Sequence, residues 1–250
     1  MKEHQGLSTN ALKILAVLFM FIDHIGLIFF EVPSPLGDTQ IGSILDVPFR
    51  VVGRCAFPLF LFCLIEGYKH TSDKLNYMKR LSLFAVISEV PYDLGNYHKI
   101  WSWQGCNVMV TMFMIISTLY AFEFLSEKIK DSVNVRISCI ITVCIICVII
   151  HFISPDYGIG GYFAGLALYL IPMVKKLQQK YMPDRLKLIA IYGSIILLII
   201  FCNVTEMFAL ADIPLIKSYN GQKGKSMKWF FYLFYPLHFV LLYGIYAVMF

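Results

Sequence analysis

LKILAVLFMFIDHIGLIFF, residues 12–30, is the stretch whose reading decides the fold. An α-helix of about 20 mostly apolar residues crosses the hydrocarbon of a bilayer, and this stretch has that length and character. It nevertheless carries Lys13 near its start and the pair Asp23 and His24 past its middle. Ionisable groups are costly in hydrocarbon and face a protein interior or a water-filled cavity, which makes them functional candidates. Lys13 and His24 lie eleven positions apart, about three turns at ~3.6 residues each, so they share one helix face about 16 Å apart along the axis. A cation near one end and an imidazole deeper in describe a slot with two stations.

The rest of the composition agrees with a membrane setting. Of 250 residues, 58% are hydrophobic and 15% charged, and the mean hydropathy is +0.70. A soluble domain of that balance would need a core larger than this chain can enclose. The chain therefore reads as an all-α, polytopic helical bundle in the lipid bilayer. The net charge of +5 sits in loops between apolar runs, where it serves topology and contacts to anionic lipid rather than nucleic acid. Cys55, Cys63, Cys139, Cys144, Cys147 and Cys202 all lie in apolar runs. The Cys144–Cys147 pair has no other ligand close in sequence, so these thiols read as packing and no metal site is expected. The start does not resemble a cleavable signal, because a polar pair interrupts its apolar run.

Spans are expected at 12–30, 49–68, 81–91 with its flanks, 107–124, 137–153, from the turn SPDYGIGG to about 174, at 188–202 and at 229–250. The stretch 206–216 is too short to cross unaided and Pro214 interrupts it; such segments are tolerated where other helices cover the backbone. If it crosses, the basic loops KHTSDKLNYMKR, 125–136, 175–187 and KSYNGQKGKSMK share one side. The excess of Lys and Arg on cytoplasmic loops then places the N-terminus in the cytoplasm. The expectation is nine transmembrane segments forming a single domain over 1–250 of a multi-pass cell-membrane protein. Eight spans plus a re-entrant segment is the alternative.

In this topology His24 lies in the outward half of the membrane and Lys13 near the cytoplasmic face. Arg50 and Arg54, four apart and so on one helix face, enter from the outer side, where orientation rules do not call for them. They read as a site for a carboxylate or anionic ligand, with a salt bridge to Asp23, Glu66 or Glu89 as the structural reading; both can hold. Neighbouring helix positions do not face each other, so Asp23 ranks below His24 as a catalytic group and is placed to hold Arg50 or Arg54. Glu66 and His70 are four apart and face together. Glu89 and Asp93 flank Pro91 and form either a charged cluster with the arginines or a buried network. Asn107 and Thr111, one turn apart, bond a carbonyl or join helices. His238, just after Pro236, is a secondary candidate.

NALKILAVLFMFIDHIG, FRVVGRCAFPLFLFCLIEGYKHT, RLSLFAVISEVPYDL, NVMVTMF, DYGIGGYFAGL and YNGQKGKSMKWFFYLFYPLHFVLLY resemble, in this order, the TraX family. Its namesake is the membrane enzyme that acetylates the N-terminus of F-pilin. The family is similar in turn to a wider transmembrane acyltransferase group, including acyltransferase-3 proteins and heparan-glucosaminide N-acetyltransferase. That group shares a basic residue, ten intervening positions and a histidine in an early helix, the pattern of Lys13 and His24 here. The resemblance implies an acyltransferase-3-like core and transfer of an acetyl group from cytoplasmic acetyl-CoA. The acceptor would be reached from the outer side: the N-terminal amine of an exported or pilin-like peptide, or a sugar hydroxyl. His24 would be the base or the acyl carrier, with Asp23 and Arg54 beside it.

Acyl transfer needs a base for the nucleophile, or a group that carries the acyl itself, and histidine serves either purpose near neutral pH. The loop KSYNGQKGKSMK suits CoA phosphates through exposed glycine N–H groups and lysine charge. Asn220, Lys223 and Lys225 are its candidate contacts, with Lys13 steadying the cofactor arm. Arg50, Glu66, Glu89, Asp93, Asn107 and His238 are the candidates for the acceptor. The rival from another class is a proton-coupled transporter with Asp23, His24, Arg54 and Glu66 as a relay; the missing internal repeat argues against it.

Overall fold

The computed structural model describes residues 6–31 and 34–250, with only the backbone of Lys176. The first helix, α1 (Thr9–Ile25), begins where the Ser8 side chain accepts a hydrogen bond from the Ala11 N–H, satisfying one of the orphan donors of a first turn. It continues as a π-helical turn over Gly26–Phe30. Gly26 sits at that change of pitch because a Cβ there would lie 2.7 Å from the Cβ of Phe49. Together they form a 22-residue apolar helix, Thr9–Phe30, as the sequence predicts for 12–30.

The second span starts earlier than expected. Helix α2 (Gln40–Gly53) is capped by Thr39, whose hydroxyl accepts from the Gly42 N–H at 2.9 Å, and it carries Pro48 inside. After a break at Arg54 and Cys55 it continues as α3 (Ala56–His70), and Gln40–His70 forms one apolar stretch of 31 residues. Asp46, Pro48 and the glycines suggest a loop in the sequence. Ile41, Ile44 and Val47, however, recur at helical spacing and all stand exposed, which makes this turn amphipathic rather than irregular.

Helix α4 (Lys74–Tyr97) also outruns its expected bounds at both ends. Its first turn is anchored in the basic loop by Asp73, whose carboxylate accepts from the Asn76 N–H at 2.9 Å; this and a second bond from the Asn76 side chain hold the Asp73 carboxyl below its ordinary range. Helices α5 (Val108–Lys128) and α6 (Ser132–Ile153) are capped by Asn107 and Asp131. Helix α7 (Gly158–Leu170) ends in a 3₁₀ turn, Ile171–Met173, and short α8 (Lys175–Lys180) leads to α9 (Pro183–Phe201). The stretch 206–216 is not one continuous helix but a 3₁₀ segment, Val204–Ala211, followed by α10 (Asp212–Lys217). Helix α11 (Lys228–Met249) closes the chain.

Among the described residues five helices are long and apolar enough to cross a membrane: Thr9–Phe30, Gln40–His70, Val108–Lys128, Ser132–Ile153 and Lys228–Met249. The described residues contain no named strand. This is a helical membrane protein, and α6 in particular has few of its apolar residues buried by protein.

The chain divides into two compact units: Met1–Cys63 with Ile87–Ser102 and Val204–Phe250, and Leu64–Val86 with Trp103–Asn203. Inside the second, α5 and α7 approach closely at Gly165, where a Cβ would lie 2.6 Å from the Cδ1 of Ile115. Thr118 and Tyr162 share a buried hydrogen bond of 2.9 Å across the same pair. Small residues and interhelical hydrogen bonds are how helices hold together where lipid removes the hydrophobic drive. The Glu123 carboxylate gathers the hydroxyls of Tyr68 and Tyr169, both at 2.9 Å, and the ammonium of Lys74. Gly165→Val overpacks this contact and is expected to cost about 1–3 kcal/mol. A lowered Tm in detergent checks it, with Gly244→Ala, which meets nothing within 4 Å, leaving the Tm unchanged.

Candidate active site

The first unit encloses an ion-pair network beside a pair of histidines. Asp23 on α1 receives both arginines of α2 and its C-cap: Nη1 of Arg50 donates to Oδ2 at 2.7 Å, and Nη2 of Arg54 to Oδ1 at 3.1 Å. Arg54 also donates through Nη1 to Glu206 Oε1 at 2.9 Å, and Arg50 Nε lies 3.4 Å from Glu31 Oε2. Gly53 makes the closure possible, because a Cβ there would fall 2.0 Å from Asp23 Oδ1; only glycine lets a carboxylate lie that close to a backbone. The Glu206 side chain is 1% exposed, against 13% for Asp23 and 15% for Arg54. Glu31, just past the end of the span, has its carboxyl pushed up by burial, with the Arg50 charge pulling it back.

His24, one residue on, turns toward α11. Its Nδ1 lies 2.6 Å from His238 Nε2, and His238 Nδ1 lies 3.0 Å from the carbonyl oxygen of Phe234. The Phe239 ring covers His24 at a centroid distance of 4.5 Å, and Phe234 stacks on His238 at 5.4 Å. Gly95 of α4 gives Phe239 its place, since a Cβ there would meet the ring at 2.4 Å. The other nitrogen of His24, Nε2, stands 4.0 Å from Asp23 Oδ2, too far for a hydrogen bond. Lys13 also turns to α11, its ammonium 5.5 Å above the Phe231 ring. The shared face expected of Lys13 and His24 is thus a shared partner helix.

At the start of α1 the loop 217–227 runs alongside the backbone. The N–H groups of Leu7, Thr9 and Asn10 donate to the carbonyls of Ser218, Gln222 and Lys223 at 2.8, 2.8 and 3.1 Å, and the Asn10 side chain donates to the carbonyl of Lys225. Gly224, at φ +76°, brings the loop against Ser8, whose hydroxyl would lie 2.5 Å from a Cβ. Loop carbonyls therefore occupy the N–H groups of Thr9 and Asn10 at the start of α1, and Lys223 and Lys225 of the same loop are exposed.

The ion-pair network, the two histidines and Lys13 fall inside one family match, to the profile described as TraX protein, over residues 8–246. The chain belongs to the TraX family. It is also 26% identical over 256 residues to a probable fimbrial assembly protein FimC, serogroup H1, of Dichelobacter nodosus, covering 97% of each chain. No solved structure matches it.

Not every residue singled out in this TraX-family sequence joins the cluster. His24 meets His238, and Asp23 pairs with Arg50 and Arg54, the two sets standing 4.0 Å apart at His24 Nε2 and Asp23 Oδ2. Asp93 instead accepts from the Ser102 N–H at 2.8 Å and holds the loop after α4, while Glu89 lies half-buried on α4. Asn220 is a clamp: its N–H donates to the Leu7 carbonyl at 2.9 Å and its amide to that of Gly6 at 3.1 Å. In the second unit Glu66 pairs with Lys69 at 3.1 Å and lies 3.8 Å from His70. Asn107 there caps α5 and donates to the Ala85 carbonyl at 2.7 Å. Among the described residues no group of three His, Cys, Asp or Glu is placed to hold a metal ion. The residues missed by sequence reasoning are Glu206, Glu31 and Phe239. A carboxylate opening the apolar run EMFALADIPLI was the available signal for Glu206, since such a group needs a cation.

Asp23→Ala strips two guanidiniums of a shared counter-ion and is expected to cost about 3 kcal/mol or more. Glu31→Ala, at a side chain 44% exposed, should cost under about 1 kcal/mol. Thermal unfolding of the two variants in one detergent measures the difference.

Proposed function

We propose that this TraX-family chain is an integral membrane acetyltransferase that moves the acetyl group of cytoplasmic acetyl-CoA to an amine reached from the outer side. The observation that carries the proposal is His24: an imidazole on a membrane-length helix, turned into the protein, beside two arginines that a carboxylate already aligns. In the reaction His24 takes a proton from the acceptor amine while the amine nitrogen attacks the thioester carbonyl carbon. The tetrahedral oxyanion is stabilised by Arg50 or Arg54, groups already oriented and so needing little reorganisation. The carbon–sulfur bond then breaks, and His24 returns the proton to the departing thiolate, leaving an amide and CoA. A route through an acetylated His24 uses the same ring as nucleophile.

Lys13, Lys223 and Lys225 supply positive charge toward the N-terminal end of α1, on the side assigned to the cytoplasm, and fit the phosphates of CoA. The topology that serves this chemistry has nine crossings in a single domain, counting Val204–Ala211 with α10 as one, and a cytoplasmic N-terminus. The description of the Dichelobacter nodosus relative as a probable fimbrial assembly protein supports the N-terminus of an exported fimbrial subunit as the acceptor.

Purified protein incubated with isotopically labelled acetyl-CoA and such a peptide should yield a labelled N-terminal amide, detected by mass. His24→Ala should lower the rate by ~100-fold or more at unchanged expression. Replacing Lys223 and Lys225 by Gln should raise KM for acetyl-CoA more than KM for the peptide. Full acetyl transfer in His24→Ala would overturn the catalytic assignment of His24, and proton-coupled uptake into vesicles without CoA would favour the transporter.

A further inference from the structure

The hydrogen bonds around His238 decide which nitrogen of His24 is the base. The Phe234 carbonyl can only accept, so His238 Nδ1, 3.0 Å away, carries a proton. A neutral His238 then has a lone pair on Nε2. The 2.6 Å contact to His24 Nδ1 needs one proton between two nitrogens, and it must come from His24. The remaining nitrogen of a neutral His24, Nε2, is left with its lone pair, turned to the side where Asp23 lies 4.0 Å away. This runs against the more common neutral tautomer, so the carbonyl of Phe234 sets it through an intervening ring.

From this chain of contacts we infer that His238 is a positioning residue: it holds His24 in the Nδ1–H tautomer, with Nε2 as the proton-accepting atom, and takes a share of the proton when His24 is charged. The inference rests on the reading of His24 as the base. When Nε2 removes the proton of the acceptor amine, the proton on Nδ1 can pass to His238 Nε2, so that His238 becomes the doubly protonated ring and keeps its bond to Phe234. Its return to His24 Nδ1 lets Nε2 release a proton to the leaving thiolate, and both rings end as they began. The role matches that of the orienting carboxylate in a hydrolase triad, filled here by a neutral imidazole. Gly95 and Phe239 keep the two rings in register, because Phe239 lies against His24 and His238 at 4.5 and 4.3 Å.

The test is nitrogen NMR of the full chain, ¹⁵N-labelled at histidine, in lipid nanodiscs, with the His24 signal assigned by its loss in His24→Ala. The expected result is a protonated Nδ1 and an unprotonated Nε2 in His24 near neutral pH. In His238→Phe this signature should move toward Nε2–H, with the acetyl-transfer rate falling ~100-fold and KM for acetyl-CoA unchanged. His238→Gln, whose amide oxygen can accept from Nδ1–H, should restore the signature and much of the rate. An Nε2–H tautomer in the unaltered protein, or a His24 signal indifferent to His238→Phe, overturns the inference. The NMR result stands whether or not acetyl transfer is found. An absent acetyl transfer with the expected tautomer would count against the enzyme reading while leaving the ring assignment supported.

Discussion

The Asp23 carboxylate, held between the guanidiniums of Arg50 and Arg54, is the interaction on which the rest of the first unit depends. Two arginines inside a bundle meant for lipid are sustainable only with counter-ions and hydrogen bonds that satisfy their donors. Asp23 gives one oxygen to each, and Glu206 and Glu31 take the outer faces. The network joins α1, α2 and the broken segment after Val204, which gives that segment a reason to lie inside the unit. It also fixes the rotation of α1, and so directs the His24 ring onto α11 beside the network.

Close backbone approach is what makes this arrangement possible. Gly53 admits the Asp23 carboxylate and Gly95 admits Phe239. Each is a place where a methyl group would separate charged or ring partners by more than their interaction can tolerate. At the other end of α1, Gly224 and the carbonyls of loop 217–227 bind the first turn. Lys13 and His24 are thus held at both ends of a single rigid helix. In the reaction proposed above, that spacing suits an elongated substrate whose charged end stays near the loop while its thioester reaches the imidazole.

Much of this was legible in the residues themselves, and for a physical reason. Lys13, Asp23 and His24 stand out because charge is costly in an apolar helix, and Arg50 and Arg54 because their spacing places them together. The onset of α2 was hidden, because Asp46 and Pro48 carry turn signals while the apolar stripe of Ile41, Ile44 and Val47 is short. Asp93, Asn107 and Asn220 look like ligand contacts in a sequence, yet each is engaged with backbone groups. A polar side chain near a helix end serves a cap as readily as a substrate, and only geometry separates the two. Glu206 was missed because its partner Arg54 is 152 positions away, a distance no local pattern bridges.

The central claim is that His24 Nε2 meets the thioester of a CoA substrate whose phosphates stay on the Lys223 side. A structure of the protein in a nanodisc with bound CoA tests it most directly. The account predicts the CoA sulfur within about 3 Å of His24 Nε2, or one water away, with the phosphates beside Lys223 and Lys225. A sulfur bound elsewhere, or a His24 ring turned toward lipid chains, would contradict it.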